Sequence, residues 1–179
     1  MEVLLAHSFN PTKTNPTGYW MSEKLDGVRA VWDGEKFTSR SGKLFHAPDW
    51  FIDSMPKGVV LDGELFEGRK NFQKTIGTVR SHKDKKSWAG VKFMIFDIIG
   101  LEIPFESRMD ELSKVILPEH CHVVEQIKCT SYEHLYGFES GVLLVGGEGI
   151  MLRAAGSMYE QKRSNSLLKV KRNKVMKPK

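Results

Sequence analysis

Cysteine is scarce. The 179-residue chain has two, Cys121 and Cys129. They make no disulfide framework, and no CxxC pair is present to hold zinc, so both read as plain thiols. No apolar run is long enough to cross a bilayer. Met1-Glu2-Val3-Leu4-Leu5-Ala6-His7 has no basic region ahead of its apolar stretch, unlike a secretory signal. The cytoplasm is therefore the expected location, with the periplasm open if a leader has been removed. Phosphate-binding glycine signatures are missing too. Neither GxxxxGK[ST] nor GxGxxG occurs, so neither a P-loop nor a Rossmann site is supported. There is no internal repeat and no low-complexity block.

What is present is ordinary for a globular domain: 40% hydrophobic and 27% charged residues. The length suits one domain with a short extension, large enough to bury a core without staples. The charge is uneven. The segment from Gln161 to Lys179 holds eight Lys or Arg and no acid, so the rest of the chain carries 19 bases against 22 acids. A basic end attracts phosphate by charge and counterion release, although a solvated tail has the same composition.

Alternation and turn signals place the elements. Val28 to Trp32 alternates and is rich in β-formers, Asp33-Gly34 is a turn, and residues 35–40 return as a hairpin partner. Residues 58–66 read as a strand interrupted at Asp62-Gly63. Residues 91–99 are a near-continuous apolar run, hence a buried strand. Residues 123–128, 148–153 and 167–171 read as further strands. Helices are expected over residues 71–79, 104–116 (Pro104 in the first turn) and 131–140 (Ser131 as N-cap). Hairpins interleaved with a few helices predict an α+β fold with mainly antiparallel sheets.

The first chemical constellation is Lys24-Leu25-Asp26-Gly27-Val28-Arg29. Ordinary lysines have a pKa near 10.4, so about one in 10³ is neutral at pH 7. A nucleophilic lysine needs neighbouring cations or a dry site to release its proton, and Arg29 is the nearest cation in sequence. Alone, KxDG also fits a surface lysine before a turn. Glu64 and Glu148 are hard oxygen donors suited to Mg²⁺ that keeps much of its water. Arg29 and Arg40 offer planar forks for phosphate. Lys169 and Lys171 alternate by two and share a strand face, where like charges repel unless an anion lies between them.

KLDGVR resembles the first motif of the covalent nucleotidyltransferase superfamily of DNA ligases, RNA ligases and mRNA capping enzymes. Ser39-Arg40-Ser41-Gly42, Asp62-Gly63-Glu64-Leu65, Phe93-Met94-Ile95-Phe96-Asp97, Glu148-Gly149-Ile150-Met151-Leu152-Arg153 and Leu168-Lys169-Val170-Lys171 resemble the other five, in order. EGIMLR, LLKVKR and the stretch Tyr19-Trp20-Met21-Ser22-Glu23-Lys24 are most similar to ATP-dependent DNA ligases. Phe45 to Trp50 and Leu65 to Gln73 resemble the minimal ligases of bacteria and phages.

The resemblance implies a nucleotide held between two sheets flanked by helices. It implies attack of Lys24 on the α-phosphate of ATP with Mg²⁺, then transfer of AMP to nicked double-stranded DNA. It places Glu23, Leu25, Arg29, Arg40, Glu64, Phe96, Lys169 and Lys171 with Lys24 around the nucleotide. Phe96 would stack on adenine, and backbone near Glu23 and Lys24 would read its edge. Glu64 and Glu148 would serve the metal; Arg40, Arg153, Lys174 and Lys177 would meet DNA. A nucleotidyltransferase domain is expected over residues 1–172, with 173–179 as the basic segment where an OB domain would begin. The sequence stops eight residues after Lys171, so three readings stay open: a longer protein cut short here, a separate partner that supplies the OB function, or an enzyme that works without one. The resemblance implies weak self-adenylylation where that domain is missing. A monomer is expected. The residues do not choose between repair, replication and DNA uptake as the role.

Two other readings stand beside it. An RNA ligase or capping-type guanylyltransferase differs in nucleotide choice or in the strand joined. A non-catalytic nucleic-acid binding domain would not need Lys24.

Overall fold

The computed structural model describes residues 1–171. Two five-stranded sheets organise it. The first takes the order β1 (Leu5–Ser8), β10 (Arg163–Val170), β9 (Ile150–Arg153), β2 (Trp20–Glu23), β8 (Ile127–Lys128). The second runs β4 (Phe37–Thr38), β3 (Val28–Trp32), β5 (Val60–Phe66), β6 (Lys92–Ile99), β7 (Cys121–Val123). Pairing is antiparallel except for β1–β10 and β6–β7. Four helices flank the sheets: α1 (Asp49–Asp53), α2 (Phe72–Arg80), α3 (Phe105–Ser113) and α4 (Tyr132–Leu144), with a 3₁₀ turn at Lys86–Gly90. The expected α+β class and the mainly antiparallel pairing are what the strands show.

Each sheet has one dry face, because strand side chains alternate. On the second sheet Ala30, Trp32, Phe37, Leu65, Phe93 and Ile95 are buried against Phe51 of α1, Val79 of α2, Leu112 of α3 and Trp88. Burying each large apolar side chain contributes about 1.5–3 kcal/mol. On the first sheet Met21, Ile150, Leu152, Leu168 and Val170 pack with Leu135 and Val142 of α4. Ser131 caps α4 as expected, its Oγ accepting from the His134 N–H at 3.0 Å.

Three expectations change. The hairpin is present, but its return strand is only Phe37–Thr38. Residues after it fold back, with Lys43 N–H donating to Ser39 Oγ at 3.0 Å and Gly42 at φ +90°. The strand expected over residues 123–128 is two: β7 pairs with β6, then the chain crosses and β8 pairs with β2. β5 is continuous through Asp62-Gly63. Gly63 is needed there for close approach, since a Cβ would lie 2.4 Å from the Met94 carbonyl oxygen. The irregularity is in β6 instead. Asp62 pairs with Asp97 and Gly63 with Ile95, so Phe96 is an extra residue, a β-bulge. The bulge puts Phe96 and Asp97 on the face away from the core, while Ile95 and Ile98 stay in it.

Candidate active site

The polar faces of the two sheets enclose a cavity of about 210 Å³. Ser22, Glu23, Met151, Arg153 and Leu167 line it from the first sheet. Arg29, Glu64 and Phe96 line it from the second, and Lys24, Leu25, Gly27 and Gln126 complete it. Lys24 follows β2, and its N–H donates to the Gly149 carbonyl at 2.9 Å, which ties it to the segment carrying Glu148. Gly27 lets the next turn lie against β5. A Cβ there would sit 2.3 Å from the Leu65 carbonyl oxygen, so no other residue fits without moving the strand.

Glu148 bridges two cations. Lys24 Nζ donates to Oε2 at 2.8 Å, and Lys171 Nζ lies 3.6 Å from Oε1. Burial pushes the Glu148 carboxyl up, but Lys24 and Lys171 outweigh it and hold it below its ordinary range. Lys169 pairs in register with Met151, a cavity residue, so it belongs to the cavity-side face of β10. Lys171, in register-phase with it, meets Glu148. The alternation read from the sequence thus brings both lysines to the same side as Lys24.

Arg29 is less free than the sequence implied. Its Nε and NH2 donate to the two oxygens of Asp62 at 2.7 and 2.6 Å, and NH2 also to the Leu4 carbonyl at 2.9 Å. Tyr159 Oη donates to Asp62 as well, at 2.7 Å. Burial alone would lower the guanidinium pKa; the Asp62 pair outweighs it and raises it. With its charge balanced, Arg29 is a positioning group for Phe96, lying 5.5 Å from the ring centroid. Glu23 is gripped the same way, by Arg69 through Nε at 3.0 Å and NH2 at 2.8 Å.

Glu64 is buried and accepts from the Gly27 N–H at 3.1 Å. Desolvation pushes its carboxyl up to about 7, although Arg29, Gly27 and Lys24 pull the other way. The folded chain therefore holds this proton to about pH 7 while the unfolded chain releases it near 4.5. The stabilisation is complete below the lower value and is lost as pH rises through the upper one. Glu64→Gln removes that slope. Urea unfolding from pH 5 to 8 should show the variant gaining on the wild type up to about pH 7 and then levelling. A pH-independent difference would contradict the burial of Glu64.

Other placements differ from expectation. Arg153 is 6% exposed, lines the cavity and donates to Asp97 Oδ2. It lies in the cavity rather than on an exposed surface, and its charge faces a buried carboxylate. Arg40 is exposed in the turn after β4 and is not part of the cavity lining. Lys174 and Lys177 lie outside the described residues, as does the segment 173–179. Sequence reasoning missed Asp62 as the Arg29 partner, Gln126, and the roles of Tyr159 and Arg69. A signal existed for Asp62: it alternates with Glu64 on a strand opposite Arg29.

Among the described residues no three His, Cys, Asp or Glu side chains gather as a metal cluster. Glu64 and Glu148 are single hard-oxygen donors, which fits a cation that keeps water and takes its other ligands from a phosphate.

A family model described as "ATP dependent DNA ligase domain" matches residues 4–171. The chain is 35% identical over 174 residues to a DNA ligase of Haemophilus influenzae, covering 95% of this chain and 63% of that protein. It spans less than two thirds of that relative. A structure from work on DNA binding by Lig E DNA ligases, described as a minimal scaffold, superposes with TM-score 0.89 at 37% identity, covering 96% of this chain and 69% of the other. A Chlorella virus DNA ligase-adenylate shares the fold, with TM-score 0.80 at 22% identity, covering 96% and 67%. The motifs, the two-sheet cavity and these likenesses agree, and the chain belongs to the family of ATP-dependent DNA ligase domains.

Proposed function

We propose that this chain is the catalytic nucleotidyltransferase domain of an ATP-dependent DNA ligase, with Lys24 as its nucleophile. The observation that carries the proposal is the placement of Lys24, Glu148 and Lys171 in one ion cluster beside a cavity lined by Phe96, Arg29 and Glu64. Adenine stacks on Phe96. The α-phosphate displaces Glu148 from the lysines, and Lys169 and Lys171 balance its charge. Lys24 Nζ forms a bond to phosphorus, the bond to pyrophosphate breaks, and the amine proton leaves to solvent. Mg²⁺, held by Glu64 or Glu148 with water and phosphate oxygens, would supply charge neutralisation when bound. The nick's 5′-phosphate then takes AMP from Lys24, and the 3′-hydroxyl displaces AMP to close the strand. The nucleotidyltransferase domain spans residues 1–172 in this reading.

The DNA partner is supported by a surface of which the sequence singled out only Arg40. The segment after β4 is joined to the end of α2 and the loop beyond it by the His46 N–H donating to the Val79 carbonyl, by Lys85 Nζ donating to the His46 carbonyl at 2.7 Å, and by the His46 and His82 rings, tilted by 35° with centroids 3.7 Å apart. Arg40, Lys43, Arg80, Lys83, Lys85 and Lys86 are exposed there, and none has an ion-pair partner among the described residues. The His46 imidazole is held low by desolvation and then by His82 and Lys85, as a positive surface requires. Such a patch suits a phosphate backbone. Replacing Arg40, Lys83 and Lys86 with alanine should reduce the slope of log affinity against log salt by roughly 0.9 for each phosphate no longer neutralised. The same test applies to Lys174 and Lys177. An unchanged slope would remove the residues concerned from the DNA surface.

The proposal as a whole is tested on pre-adenylylated nicked DNA. Sealing supports it; sealing of the corresponding RNA nick alone would move the chain to the RNA ligases.

A further inference from the structure

The chain crosses from one sheet to the other at residues 124–126, beside the cavity. Val124 is still tied to the second sheet, its N–H donating to the Ile95 carbonyl at 2.9 Å. Ile127 already pairs with Met21 in the first. Gln126 stands at the junction and lines the same cavity as Lys24 and Phe96. One further step of the β2–β8 register sets it opposite Ser22, another cavity residue. Ser22 is small and leaves room there. Gln126 is the sole carboxamide in the lining.

Its Oε1 is buried and has no hydrogen-bond partner. Buried polar oxygens are nearly always satisfied, so an orphan acceptor in a cavity points to a ligand that donates to it. The Nε of Arg153, in the same lining, is an orphan donor. The carboxylates of the cavity are engaged elsewhere: Glu23 by Arg69, Glu148 by Lys24 and Lys171, and Glu64 by the Gly27 N–H. A neutral edge with an N–H donor fits what remains.

We propose that Gln126 reads the 6-position of the purine, Oε1 accepting a hydrogen bond from the adenine N6 amino group. The assignment rests on the adenylylation reading above. Adenine offers a donor at that position; guanine offers a carbonyl oxygen, which would face Oε1 lone pair to lone pair. A site built to bond a donor rejects a ligand that lacks it more strongly than shape alone can. Gln126 in this orientation thus favours ATP over GTP, which would need the carboxamide turned to present Nε2 to the guanine oxygen.

The test follows Lys24–nucleotide formation by intact mass on the full 179-residue chain. Three triphosphates are compared over a concentration range: ATP, GTP, and purine riboside 5′-triphosphate, which lacks the 6-amino group. Gln126→Leu should raise KM for ATP about tenfold and change kcat less, as loss of one neutral hydrogen bond requires. Wild type should use the riboside triphosphate about tenfold less well than ATP, and Gln126→Leu should add no further loss with it. Gln126→Glu, whose ionised oxygens can only accept, should keep ATP use and widen the discrimination against GTP. A Gln126→Leu change that weakens ATP and the riboside triphosphate equally, or neither, overturns the assignment. A wild-type chain that forms no adduct with any of the three and also fails to seal a pre-adenylylated nick overturns the nucleotidyltransferase reading, and this assignment with it.

Discussion

Asp97→Ala is expected to destabilise the chain by about 3–5 kcal/mol, the loss typical when one partner of a buried ion pair is removed. Asp97 is fully buried and accepts from Arg108 Nε at 2.8 Å, Arg108 NH2 at 3.1 Å, the Ile98 N–H at 2.9 Å, and Arg153. Arg108 is itself fully buried, and Arg153 nearly so. Removing the carboxylate strands two guanidiniums away from water. The carbonyls of Ile103 and Ser157 would still hold Arg108 NH1 but would not balance its charge. Since domains of this kind have about 5–15 kcal/mol of stability in all, the loss should be plain in a denaturant titration. Adding Arg153→Met to Asp97→Ala should recover part of it, because one stranded charge is gone. A single-variant loss below about 1 kcal/mol would mean that the triad contributes little beyond a surface pair. The network also matters to the chemistry, because Arg153 lines the cavity.

Lys24→Ala is expected to abolish covalent nucleotide attachment while changing stability little. The Lys24–Glu148 pair is part-exposed, with side chains 25% and 35% accessible, so its net worth to folding is about 0–1 kcal/mol. Sealing of an already adenylylated nick does not need the amine as nucleophile, and should persist within about tenfold if the phosphate site of Lys169 and Lys171 is intact. Following both reactions on the same preparation separates the nucleophile from the site. Residual adduct in the variant would mean that another group attacks. Loss of both reactions with normal unfolding would make Lys24 a general phosphate ligand instead.

The first half of the site was legible in the sequence for a physical reason. Lys24 to Arg29 leads into an alternating strand, which is local information, but KxDG alone also fits a surface lysine, and the resemblance of the six ordered motifs is what marked it. The lysine pair at residues 169 and 171 was legible for the same reason: period two fixes a face. The continuous apolar run over residues 91–99 hid its own meaning. Only the bulge at Phe96, set by pairing with β5, turns Phe96 into the cavity and Asp97 toward Arg108 and Arg153. The crossing at residues 124–126 was also invisible, since β-rich composition does not say which sheet a strand joins, and Gln126 was missed with it. β1 went unseen because four residues ending in exposed His7-Ser8 carry no pattern. Arg153 is expected from the sequence to meet DNA, but its partner Asp97 lies 56 positions away, and no local pattern shows that pairing.

The central claim is that Lys24 becomes covalently bonded to AMP. Intact mass with peptide mapping, after incubation with Mg²⁺ and either ATP or GTP, measures this directly. The account predicts an AMP adduct on the peptide carrying Lys24, formed with ATP and not with GTP. A GMP adduct, or an AMP adduct mapped to any other residue, would contradict it.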